Sequence, residues 1–83
     1  MSDRFTEAQE RVKALSKRPD NQTLLKLYAL FKQSTAGDVS GKRPGMLDMK
    51  GRAKFDAWAG KKGVSKDDAR EQYIALVTKL EAS

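Results

Sequence analysis

Helix-breaking residues at three places divide this chain into four stretches, and each stretch repeats its apolar side chains every three or four positions. That spacing constrains the fold most, because it collects those side chains on one side of an α-helix. The first stretch, from about Ser2 or Asp3 to Ser16, carries Phe5, Ala8, Val12 and Leu15. Pro19 stops it, since proline has no N–H to donate and restricts the residue before it. Asp20 or Asn21 is suited to cap a second helix, from about Asn21 to Ala36. Leu24, Leu27, Tyr28, Phe31 and Thr35 form its main face, with Leu25 and Lys32 on a neighbouring strip, and Gly37 is placed to end it. Gly37, Gly41, Pro44 and Gly45 mark a loop that continues to Met49. Asp48 is expected to cap a third helix, from about Met49 to Lys62, with Phe55, Trp58 and Ala59 facing the core. Lys61 and Lys62 would then sit at the negative end of its dipole, before Gly63. Ser65-Lys66-Asp67-Asp68 reads as a capping box for a fourth helix, in which Ala69, Tyr73, Val77 and Leu80 share a face beside Ile74 and Leu76. No stretch alternates with period two. The fold class is all-α.

The connections order the helices. The first and third are short and favour antiparallel neighbours, whereas the middle one, about a dozen residues, is long enough to run back along a helix. The result is a four-helix up-down-down-up bundle, a single domain over residues 1–83. There is no cysteine to add a disulfide or a thiolate metal site, so helix packing must supply the stability. There is no histidine either, which removes the usual general base near neutral pH and the commonest metal ligand. Asp67 and Asp68, as adjacent helical residues, point in different directions and serve as capping residues. Ser34-Thr35 beside Lys32 reads as helix surface and last turn. No catalytic residue, metal or cofactor is expected, and the chain reads as a binding protein rather than an enzyme.

The net charge of +6 is uneven. Residues 41–62 hold seven basic and two acidic side chains, net +5, against +2 for residues 1–40 and −1 for residues 63–83. Such a concentration fits a local anion site, although a solvated basic face would look the same by charge alone. Within it, Lys50 and Lys54 stand four positions apart on one helix face beside the small Ala53. On the second helix, Tyr28, Phe31 and Lys32 occupy i, i+3 and i+4. An aromatic stripe at that spacing is ordinarily core, but a lysine beside a fully buried stripe would need a partner. Two lysine-bearing faces joined by a loop suit something planar and heavily phosphorylated.

The loop Thr35-Ala36-Gly37-Asp38, then Arg43-Pro44-Gly45-Met46-Leu47-Asp48, Lys54, Asp56-Ala57-Trp58 and Lys62-Gly63 together resemble the signature of the acyl-CoA-binding proteins. The likeness extends through Phe5, Val12-Lys13, Leu15 and Pro19 on one side and Ser65-Lys66, Asp68-Ala69 and Tyr73-Ile74 on the other. It covers nearly the whole chain. The resemblance implies that Tyr28, Phe31 and Lys32 hold the adenine and 3′-phosphate of coenzyme A. It implies further that Lys54 joins them on the phosphates, that Tyr73 packs against the nucleotide, and that Lys13 and Lys50 also contact the ligand. Stacking on aromatic rings and ammonium–phosphate attraction make those roles physically sensible. The chain departs from the family at Phe31, where tyrosine is frequent, at Phe55, where tryptophan is common, and at Met49, where an aromatic is common.

The acyl chain of such a ligand needs an apolar groove. Leu24, Leu25, Ala53 and Ala8 are candidates to line it, and each of them equally suits an ordinary core. The resemblance implies a cytoplasmic carrier of medium- and long-chain fatty acyl-CoA esters, a monomer that supplies acyl-CoA-using enzymes. The sequence shows neither a signal peptide nor an apolar run long enough to span a bilayer, so no stable membrane insertion is expected. Two other readings stand beside this one: a small basic module that stacks exposed nucleic-acid bases, and a helical module for a protein partner. No helix carries a continuous basic stripe, so nucleic acid is not the expected partner.

Overall fold

A computed structural model describes residues 3–82, in which four helices form: α1 (Arg4–Lys13), α2 (Asn21–Ala36), α3 (Met49–Ala59) and α4 (Lys66–Ala82). Each begins where a short polar side chain can satisfy the free N–H groups of a first turn. The Asp3 carboxylate accepts from the Thr6 N–H and Asp20 from the Thr23 N–H, both at 2.7 Å. Asp48 accepts from the Gly51 N–H at 2.9 Å, and Ser65 Oγ from the Asp68 N–H at 3.0 Å. Those amide bonds favour the charged carboxylates of Asp3 and Asp20 and hold both below the usual range. Ser2, the alternative start of the first helix, lies outside the described residues.

Two helices end earlier than their periodicity predicts. α1 stops at Lys13 instead of Ser16, because the Ala14 N–H turns back to Arg11 O at 3.1 Å, three residues away. α3 stops at Ala59 instead of Lys62. There the Lys61 and Lys62 N–H groups donate to Trp58 and Ala59 carbonyls, and Val64 to Lys61. These tighter three-residue steps take the two lysines into a turn outside α3.

Cross-helix contacts establish the directions. Arg4 pairs with Glu71 and Arg11 with Glu81, both at 3.2 Å, so α1 and α4 run parallel. Tyr28 faces Lys54 and Lys32 faces Trp58, so α2 and α3 also run parallel. Gln33, near the end of α2, donates to Val64 O just before α4, which makes that pair antiparallel. This is the up-down-down-up order. α4 packs against both α1 and α2, and α3 packs on the far side of α2.

The core lies where α1, α2 and α4 meet, built from Phe5, Ala8, Leu27, Leu30, Ala69, Tyr73, Ile74 and Val77. On α2 the buried face is Leu27, Ala29, Leu30, Gln33 and Ser34, not the Tyr28–Phe31–Thr35 side that the sequence pattern favours. The reason is that α2 is covered by α4 on one side and α3 on the other. Its aromatic stripe lies at the edge between them, with Tyr28 half-buried and Phe31 36% exposed.

Candidate functional site

An apolar hollow of about 530 Å³ opens between the first turns of α2 and α3. Leu24, Leu25, Met49 and Ala53 provide its apolar lining, and Arg18, Asn21, Lys50 and Lys54 stand around it. Its described lining therefore holds three cations and no acid. The parallel run of α2 and α3 creates this arrangement, since it aligns the first turns of both helices. A second hollow of about 420 Å³ shares Arg18 and Leu24 with the first and includes Lys13, Leu15 and Pro19. The early end of α1 lets Leu15 and Pro19 form that wall.

Beyond the hollow, α2 and α3 face each other through two cation–ring pairs. The Lys54 ammonium lies over the Tyr28 ring at 5.5 Å, and the Lys32 ammonium over the Trp58 ring at 4.8 Å. The order is complementary: ring then cation at i and i+4 on α2, cation then ring at the same spacing on α3. Both ammonium groups are thus drawn to one seam, where their charges reinforce each other toward an anion. The Trp58 indole N–H donates to Gly37 O at 2.8 Å, which fixes the ring.

The seam is closed at its far end by a polar clasp. Asp38 accepts from Gln33 Nε2 at 2.8 Å and from the Gly63 N–H at 2.9 Å, while Gln33 also donates to Val64 O at 2.8 Å. The Gly63 amide, then Gln33, hold the Asp38 carboxyl below its ordinary range. Gly37 takes φ 83°, a left-handed conformation in which a side chain would be strained, so the chain can leave α2 toward Asp38. Along the loop, Arg43 forms a two-pronged pair with Asp56 on α3, at 2.9 and 2.7 Å. The Arg43 guanidinium pulls the Asp56 carboxyl below its usual range.

Most of the residues singled out from the sequence converge here. Leu24, Leu25, Lys50, Ala53 and Lys54 share the main hollow, Tyr28 and Lys32 join through the ring pairs, and Lys13 borders the adjoining hollow. Phe31 stacks on Phe5 with ring centres 6.1 Å apart, and Phe5 meets the Tyr73 ring edge-on at 5.1 Å. That row carries the aromatic surface inward. Tyr73 is only 5% exposed, and burial raises its phenol above the ordinary value. Ala8 is fully buried in the core and away from the two hollows. Sequence reasoning missed Arg18 and Asn21 as lining residues; Trp58 is buried as its spacing predicts, and what the sequence did not show is that its ring also lies under Lys32. The signal for Trp58 is its i, i+4 pairing with Lys54, the mirror of Tyr28 with Lys32.

Fold and site together define a small helical binding protein with an apolar hollow and a cationic rim. Residues 2–77 match the family described as Acyl CoA binding protein, and the chain belongs to that family. It is similar to the acyl-CoA-binding protein homolog 1 of Caenorhabditis elegans, 55% identical over 76 residues, which cover 92% of this chain and 88% of that protein. The homolog of Manduca sexta is 51% identical over 84 residues, covering all of this chain and 93% of its own. Among solved structures, acyl-CoA-binding protein 2 of Oryza sativa superposes with a TM-score of 0.88 at 42% identity, covering 93% of this chain and 86% of that one. Among the described residues no helix is long and apolar enough to cross a membrane, and no cluster of acidic side chains fits a metal ion.

Proposed function

We propose that residues 1–83 act as one domain that binds medium- and long-chain fatty acyl-CoA esters. In this reading the chain is a cytoplasmic carrier that keeps a bound pool and supplies acyl-CoA-using enzymes, not a catalyst. One observation carries the proposal: an apolar hollow rimmed by cations opens beside a seam where two ammonium groups rest on aromatic rings. A ligand with a fatty tail and a polyphosphate head meets both halves of that surface. Leu24, Leu25, Met49 and Ala53 receive the tail. Lys32 and Lys54 take the phosphates, Tyr28 and Phe31 stack the adenine, and Lys13 and Lys50 add contacts at the rim. Tyr73 packs against the nucleotide with the small part of it that is exposed, and it meets edge-on the Phe5 ring on which Phe31 stacks. A nucleic-acid or protein-partner reading would leave the apolar hollow without an occupant.

Calorimetric titration with palmitoyl-CoA, free coenzyme A and free palmitate tests this reading. Each methylene buried contributes about 0.8 kcal/mol, or roughly fourfold in affinity. Palmitoyl-CoA should therefore bind far more tightly than either half, and affinity should climb steeply from octanoyl to longer chains before it levels off. Equal affinity for coenzyme A with and without its acyl chain would discard the proposal.

A further inference from the structure

The apolar hollow changes character along its length. At one end Lys54 belongs both to its lining and, through the Tyr28 ring, to the seam. Leu24, Leu25 and Ala53 occupy the next turn of the two helices, and Asn21 and Met49 are the first residues of α2 and α3. Arg18, in the connection before α2, stands at the far end. From Tyr28 back to Asn21 the helix rises about 10 Å at 1.5 Å per residue. The hollow is therefore apolar in its middle and cationic at both ends.

A fatty chain that ends in a methyl group leaves the far end unused. Arg18 and Asn21 are exposed, and among the described residues neither side chain makes a hydrogen bond or an ion pair. The acids nearest to that end are committed elsewhere. Asp20 accepts from the Thr23 N–H at 2.7 Å, and Asp48 from the Gly51 N–H at 2.9 Å. Among the described lining residues no acid faces the guanidinium. The planar fork of an arginine matches a carboxylate through two parallel N–H···O bonds, and an asparagine amide can donate a third. A carboxylate at the tip of a fatty chain would engage this end of the hollow as phosphates engage the other.

We infer that Arg18, with Asn21, forms a subsite for a terminal carboxylate. The hollow then takes ω-carboxyacyl-CoA, the monothioester of coenzyme A with a long-chain dicarboxylic acid, beside acyl chains that end in a methyl group. The inference rests on the acyl-CoA reading and extends it to a second class of tail. Only a chain that spans the hollow brings its carboxylate to the guanidinium. A shorter one strands its charge among Leu24, Leu25 and Ala53, where burial without a partner is costly. Chain length and terminal charge are thus selected together.

The test is calorimetric titration of the full chain with hexadecanedioyl-CoA and with its ω-methyl ester, which has the same chain without the terminal charge. The carboxylate should bind about fivefold more tightly than the ester. The corresponding hexanedioyl pair, too short to span the hollow, should show no such preference. Arg18→Gln should abolish the preference, and Arg18→Lys, which keeps the charge without the fork, should retain part of it. The readout is the ratio of two affinities on one variant, so a general change in binding caused by the substitution cancels. Added salt should bring the ratio toward one as the screening length falls from about 10 Å at 0.1 M to about 3 Å at 1 M. A hexadecanedioyl ratio of one or less in the parent, or a ratio that Arg18→Gln leaves unchanged, overturns the inference while palmitoyl-CoA still binds. Failure of palmitoyl-CoA itself to bind would instead remove the acyl-CoA reading, and the subsite with it.

Discussion

Lys32 and Lys54 each rest on a ring supplied by the opposite helix, and that placement sets the terms on which they can leave it. For the exposed Lys54 a cation–ring contact is worth about 0.5–1 kcal/mol, whereas a hydrogen bond to a charged group is worth about 1.5–3 kcal/mol. On the proposed acyl-CoA reading, an arriving phosphate would therefore outcompete the ring at Lys54, while the ring keeps the ammonium near the seam beforehand. Lys54→Met retains the side-chain stem and removes the charge. It should weaken palmitoyl-CoA binding by about tenfold to a hundredfold with little change in the thermal midpoint. Unchanged affinity in the same titration would remove Lys54 from the site. The lysines and Tyr28 were legible in the sequence because i and i+4 neighbours share a face. The burial of Trp58 was legible too, but its contact with Lys32 was not, because an aromatic residue on an inward stripe has the pattern of core whether its ring ends under a leucine or under a lysine from another helix.

The loop after α2 is secured by Asp38, whose carboxylate joins the Gln33 amide to the backbone of the turn before α4. Its folded-state pKa lies below the ordinary value of 3.8. In the window between the folded and unfolded values the unfolded chain binds the proton more readily. The contribution is therefore fully present above that ordinary value and is lost as pH falls through the lower, folded one. Asp56, held down by Arg43, acts with the same sign. Denaturant midpoints measured across this range should fall as the solution is acidified, and Asp38→Asn should fall less steeply from a lower starting point. An Asp38→Asn curve parallel to that of the parent would contradict the clasp. Helix beginnings were readable because a cap is local: Asp20, Asp48 and Ser65 each bond an amide three residues on. Helix ends were less so. The tie from Gly63 to Asp38 joins residues 25 positions apart, and no local pattern shows that the chain must leave α3 early to reach it.

Across the molecule, the helix order followed from loop length, yet the division of labour among helices did not. The sequence offers four similar apolar stripes, whereas the fold buries α4 against two helices and gives α3 a single helical neighbour, α2, beside its ties to the loop through Asp56 and Trp58. The reason lies in composition: α4 presents Ala69, Tyr73, Ile74 and Val77 inward, while α3 buries only Trp58. Stability follows burial, so amides of α3 should exchange with deuterium faster than those of α4 in the free protein. Saturation with palmitoyl-CoA should slow α3 most, since the ligand would add a further attachment for the helix with the fewest helical neighbours on its side of the bundle. Equal protection of α3 and α4 in the free protein would contradict this ranking. A helix with one neighbour also behaves as a gate whose latch is the guest. Each favourable contact between α3 and a lodged fatty chain raises the barrier to the motion that would release it, so tighter ligands should differ mainly in how long they stay rather than in how quickly they arrive.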